Sequence, residues 1–213
     1  MHASARLRLV KDGAKELALA DEALMLRYAG GDAAAFERLY ARHRGGLFRF
    51  ISRQCSDRGA AEELFQDVWS SVIQARLRYR AEARFATWLY TLAHNRLIDW
   101  YRRNSKVVWV NFGEGNDEGE EESRNSLHQE PAAMRTAQPE VQAESRQLAA
   151  RLLELLAILP PPQREAFLLH EEGGLNVEEI AVATGCAPET VKSRLRYAFA
   201  KLRLGLKEMR ELP

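Results

Sequence analysis

Residues 176–203 read NVEEIAVATGCAPETVKSRLRYAFAKLR and contain two helical patterns that meet at Gly185. In the first, Asn176 precedes Glu179 by three residues, the spacing of a capping box. Val177, Ile180, Ala181 and Ala183 give that helix an apolar side. Gly185 suits the left-handed residue that ends a helix, and Pro188 suits the first turn of the next one. There Val191, Leu195, Ala198 and Leu202 recur at helical spacing. Small Ala181 permits a close helix crossing and Val191 packs back on it, so the stretch predicts a helix-turn-helix. The outer face of the second helix carries Lys192, Ser193, Arg196 and Tyr197, with Arg194 and Lys201 at its flanks. Lys and Arg suit phosphates and guanine edges, and Ser suits either a phosphate or a base edge. A run of bases on a helix more often marks a solvated face, but the turn pattern here favours DNA.

The rest of the chain must accommodate that reading. Its 213 residues suffice for one ordinary domain or two small ones. Lys plus Arg total 31 against 30 Asp plus Glu, so the distribution of charge carries the signal and the sum of +1 does not. Cys55 and Cys186 lie too far apart for a disulfide framework or a metal finger, and a reducing, cytoplasmic setting is expected. Structural burial is the commoner role for such cysteines, with a redox role the weaker reading. Gly113, Gly115 and Gly119 miss the dinucleotide fingerprint by one residue, and the acids around them would repel phosphate. No metal-binding or nucleophile motif occurs, so no cofactor, metal or catalytic centre is expected. The N-terminus is broken by Lys11, Asp12, Lys15 and Glu16 and makes a poor signal peptide, and no run suits a bilayer.

Helical periodicity dominates, and the expected fold class is all-α: two small helical domains joined by a flexible acidic linker. Residues 1–20 form an extension, 21–106 the first domain, 107–141 the linker and 142–213 the helix-turn-helix domain. Asp21, Asp32 and either Ser56 or Asp57 are expected to cap successive helices, with Gly45–Gly46 able to bend the second. A further helix is expected from about Ala83 to Arg103. On it Phe85, Trp88, Leu89, Leu92 and Ala93 form the core side. Tyr90, Thr91, His94, Asn95, Ile98 and Arg102 form the opposite side, where Asn95 can hydrogen-bond an unstacked base. Arg102 and Arg103 can hold phosphates. On the preceding helix Glu63, Gln66, Asp67 and Ser70 form a polar stripe, open to two readings, solvent or protein docking.

The segments AEELFQDVW (61–69), FATWLYTLAHNRLIDWYRR (85–103) and the helix-turn-helix occur in the order found in extracytoplasmic-function sigma factors, which the chain resembles nearly throughout. These are short members of the sigma-70 family of RNA polymerase initiation factors. The resemblance implies that Glu63, Gln66 and Asp67 dock on core RNA polymerase. It implies that Tyr90, Thr91, His94, Asn95, Arg102 and Arg103 meet the minus-ten promoter element, Asn95 at a flipped base. Lys192, Ser193, Arg194, Arg196 and Tyr197 would meet the minus-thirty-five element. It further implies an anti-sigma partner, often membrane-anchored, and an acidic connector that passes through the polymerase's RNA exit path. Read from the residues alone, a stand-alone helix-turn-helix regulator remains the alternative, and a nucleic-acid-processing enzyme the weaker third.

Overall fold

In the computed structural model, residues 19–55, 57–104 and 139–211 are described, with side chains between 139 and 207 described from 146 onward. Among them every regular element is helical. The expected linker and the N-terminal extension lie almost wholly outside the described residues. No described helix is long and apolar enough to cross a membrane.

The N-terminal domain comprises α1 (Asp21–Ala29), α2 (Ala33–Ser52), α3 (Arg58–Ala75), a 3₁₀ turn at Arg76–Arg78, and α4 (Phe85–Asn104). Two of the expected caps form. The Asp32 side chain accepts from the Ala35 amide, and Asp57 accepts from Gly59 and Ala60. Asp21 is not a cap: Ala20 holds that position without a side-chain bond, and Asp21 is the first helical residue. Its carboxylate is drawn instead to Arg42 and His43 of α2. Leu24, Met25, Leu39, Leu47, Phe50, Leu64, Val68, Val72, Phe85, Leu89 and Leu97 make the core between these helices. Gly45–Gly46 do not interrupt α2.

The C-terminal domain comprises α5 (Pro139–Ala157), α6 (Pro161–Glu171), α7 (Val177–Thr184) and α8 (Pro188–Glu211). Helical structure begins three residues before Gln142, where the periodicity returns. The run Pro160–Pro162 both ends α5 and begins α6, because a proline lacks only an amide that the first turn leaves unpaired anyway. Leu155, Leu156, Leu168, Leu169, Ile180, Val191, Leu195, Ala198 and Leu202 fill the core.

The two domains pack on each other, with α7 lying against α4. Tyr90 is the joint. It was expected on the open side of α4, yet it is 2% exposed, its ring edge-on to Phe50 with centroids 5.2 Å apart. Its hydroxyl donates to the Glu172 carbonyl at 3.0 Å, and burial pushes the phenol pKa up. Periodicity alone missed this because the domain contact buries a second side of α4. Gly46 permits the approach, since a Cβ there would lie 2.7 Å from the Glu172 carbonyl oxygen.

Candidate nucleic-acid interface

The helix-turn-helix is built as its local chemistry requires. Asn176 and Glu179 exchange reciprocal bonds of 2.9 Å, the full capping box. Gly185 takes φ 66°, and the Cys186 amide reaches back to the Ala181 carbonyl at 3.2 Å. A residue with a Cβ is disfavoured in that left-handed conformation, so the glycine shapes the turn. Val191, Leu195 and Ala198 are buried beneath α8. Lys192, Arg196 and Tyr197 therefore face outward, with Ser193 and Arg194 half-buried beside them. The Arg196 guanidinium stacks over the Tyr197 ring at 5.1 Å. The Lys192 ammonium donates to Glu189 at 2.8 Å, and that bond raises its pKa. Arg194 rests against the turn, its Nη1 3.5 Å from the Cys186 sulfur. That contact between Cys186 and Arg194 had no signal in the sequence.

A concavity of about 330 Å³ lies between α3 and α4. Ser71, Gln74, Ala75 and Arg78 line one wall, and Leu92, Asn95, Arg96 and Asp99 line the other. Each wall has the same i, i+3, i+4, i+7 spacing, so two helix stripes face each other across the cleft. Asn95 is exposed within it. Arg96 and Arg78 were not among the expected site residues. The shared spacing was the available signal, but it became meaningful only once α3 and α4 were known to be neighbours. The cleft is small for a ligand site, near the lower end of the range of about 300–1,000 Å³. Its lining combines polar donors and acceptors with the apolar Leu92 and Ala75, a suitable chemistry for one planar base.

The other expected residues of α4 divide. His94 points away from the cleft, with Nδ1 2.7 Å from Glu165 of α6. The Thr91 hydroxyl donates to the Thr87 carbonyl at 2.8 Å, an ordinary turn-to-turn bond within the helix. Arg102 and Arg103 are exposed at the helix end. On α3, Glu63 and Gln66 are exposed and Asp67 is half-buried; Ile73 and Leu77, 39% and 75% exposed, extend that stripe. Among the described residues no cluster of His, Cys, Asp and Glu could hold a metal ion. Cys55 is buried, its thiol pushed up to about 12 by that burial.

Comparison with known proteins gives this arrangement a context. Residues 39–107 match the family model of sigma-70 region 2, and residues 149–202 match that of sigma-70 region 4. The RNA polymerase sigma factor CarQ of Myxococcus xanthus is 31% identical over 185 residues, spanning 87% of this chain and 97% of its own. The ECF RNA polymerase sigma factor RpoE of Cereibacter sphaeroides is 34% identical over 173 residues, 81% of this chain and 86% of its own. The fold resembles that of the sigma factor RpoE of Bartonella quintana, solved in complex with the anti-sigma factor NepR. Its TM-score is 0.62 at 23% identity, over 81% of this chain and 96% of that one.

Proposed function

Given that the chain belongs to the extracytoplasmic-function sigma factors of the sigma-70 family, RNA polymerase initiation factors, we propose how its surfaces divide promoter recognition. The polar stripe Glu63, Gln66 and Asp67 docks on core RNA polymerase, with Ile73 and Leu77 continuing the contact. The cleft between α3 and α4 takes one unstacked base of the minus-ten element, with Asn95 at its edge and Arg102 and Arg103 on nearby phosphates. Unstacking costs a few kcal/mol per base, and capture offsets it. The α8 face reads the minus-thirty-five element: Arg196 and Ser193 at base edges, Lys192 and Arg194 on phosphates. Tyr90 contributes by shaping α4 from beneath, and Thr91 lies at the margin of the DNA face. The polymerase supplies the catalysis, in the cytoplasm, and this chain supplies none.

The observation that carries this reading is the coexistence in one chain of the helix-turn-helix and the two-stripe cleft. A stand-alone regulator would leave the cleft without a purpose, and the family match covers both domains. The proposed regulator is an anti-sigma protein, the type of partner held by the Bartonella relative. The test is gel filtration of the chain with core polymerase, beside Asp67→Arg. Co-elution of the parent and its loss in the variant are expected. Retention of the variant would overturn the docking assignment.

A further inference from the structure

The α3–α4 cleft carries opposite charges at its two ends. Ser71 is bonded by Arg96 at 2.9 Å, and beyond that crosslink Tyr79 packs on Phe85 and Trp88, with ring centroids 6.3 and 5.0 Å apart. The two helices therefore run antiparallel. Arg78, seven residues after Ser71, stands at one end of the cleft, and Asp99, three residues after Arg96, stands at the other. At about 1.5 Å per residue, their backbones are roughly 15 Å apart along the cleft. Both are exposed. Among the described residues neither the Arg78 guanidinium nor the Asp99 carboxylate has a hydrogen-bond or ion-pair partner, whereas Arg96 between them is tied to Ser71.

Each end suits one kind of base edge. A guanidinium donates two parallel N–H bonds to adjacent acceptors, and a carboxylate accepts two from adjacent donors. Of the four DNA bases only guanine offers both: O6 and N7 side by side as acceptors, and N1–H and the 2-amino group side by side as donors. Adenine, cytosine and thymine each set an acceptor beside every donor on the Watson–Crick edge, and that acceptor would face the carboxylate oxygens. The span leaves room for a two-ring base, a bond of about 2.9 Å at each end, and the long Arg78 side chain. Gln74 and Asn95, on facing walls, each carry a donor and an acceptor and suit any base edge. A carboxylate is repelled by the DNA backbone, a cost that bonds from base N–H groups offset. We propose that the base captured in this cleft is guanine, with Asp99 accepting from N1–H and the 2-amino group and Arg78 donating to O6 and N7. The proposal rests on the functional reading above, in which the cleft takes one unstacked base of the minus-ten element. It makes Asp99, an acid at a nucleic-acid surface, a specificity-determining residue.

The test uses reconstituted holoenzyme and double-stranded promoters that it selects from a pool randomised across the minus-ten element. An abasic scan of the non-template strand, repeated with Asn95→Ala, finds the captured position, where the penalty seen with the parent disappears in the variant. Guanine is expected there. Hypoxanthine at that position lacks the 2-amino group, and 7-deazaguanine lacks N7. Each should slow promoter opening by the parent about tenfold. Asp99→Ala should lose its response to hypoxanthine and keep its response to 7-deazaguanine, and Arg78→Ala should do the reverse. A general defect in folding or polymerase docking lowers all these rates together and does not produce that crossed pattern.

A captured position that selects another base, or variants that keep the parent's response to both analogues, would overturn the guanine assignment and leave base capture standing. If no position shows an abasic penalty that depends on Asn95, base capture itself fails, and the guanine assignment fails with it.

Discussion

Ser71 and Arg96 are joined across the α3–α4 cleft: the Ser71 hydroxyl accepts from Arg96 Nη2 at 2.9 Å and Nε at 3.3 Å, and donates to the Asp67 carbonyl at 2.7 Å. One buried hydroxyl thus links the backbone of α3, proposed above to dock on the polymerase, to a guanidinium at the cleft proposed to take one base. Ser71→Ala is expected to release Arg96 without exposing any new surface on the docking stripe. Bonds to charged groups contribute about 1.5–3 kcal/mol, so a loss of roughly 10- to 100-fold in promoter opening is expected. The check is a fluorescent-base melting assay with reconstituted holoenzyme. Core co-elution should be unchanged; a variant that opens promoters at the parent rate would show that Arg96 does not depend on this bond.

The turn of the helix-turn-helix should be sensitive in stability before it is sensitive in DNA contact. Asn176→Ala removes the bond to the Glu179 amide and should cost about 1 kcal/mol. Gly185→Ala places a Cβ on a residue at φ 66° and should cost about 1–2 kcal/mol. Both losses are read as a lower urea midpoint at unchanged slope. Since the two sites flank α7, the double variant is expected to be close to additive; a much smaller sum would mean α7 is already frayed in the parent.

How far these elements were legible differs from helix to helix. The helix-turn-helix was readable throughout, because its cap, turn glycine and apolar stripe are all local in sequence. Asp32 was readable as a cap for the same reason, and Asp57 as one of two candidates beside Ser56. Asp21 was not, because its carboxylate is claimed by Arg42 and His43, some twenty residues away. Tyr90 was misplaced because a helix packed on two sides has no single apolar stripe, and the second side comes from residues about eighty positions downstream. The open position of Asn95 was readable from helical spacing, but placing Arg78 and Arg96 beside it needed the pairing of α3 with α4. What escaped the sequence in each case was a long-range contact, and local pattern carries no information about such contacts.

Base reading and backbone holding should separate on α8. Arg196→Ala is expected to lose about 1–3 kcal/mol at one promoter position and to relax the preference there. Lys192→Ala should weaken binding evenly across sequences and lower the salt slope by about 1. Tyr197→Ala should partly reproduce the Arg196 effect, because it removes the ring over which the guanidinium stacks. A selection from randomised minus-thirty-five elements with holoenzyme, repeated at several salt concentrations, measures both quantities. If Lys192→Ala shifted the selected sequence while Arg196→Ala did not, their assignments would be reversed.

Acid should loosen the α1–α2 contact through Asp21. Burial by itself raises the pKa of this carboxyl, but the bonds from His43 and Arg42 outweigh it and leave the value below the ordinary 3.8. A carboxylate whose pKa is lower in the folded state stabilises the fold fully above its unfolded pKa. That contribution is lost as pH falls through 3.8 toward the folded value. Asp21→Asn lacks the titration. Because the Asp21 side chain stays 25% exposed and is partly screened by solvent, the variant should be less stable by only about 0.5–1 kcal/mol at pH 7. The gap should persist at pH 5 and narrow below pH 3.8 as the parent carboxyl is protonated. Urea unfolding of both proteins at these pH values checks the sign, and a gap that stayed constant into acid would show that the Asp21 charge contributes nothing to holding α1 on α2.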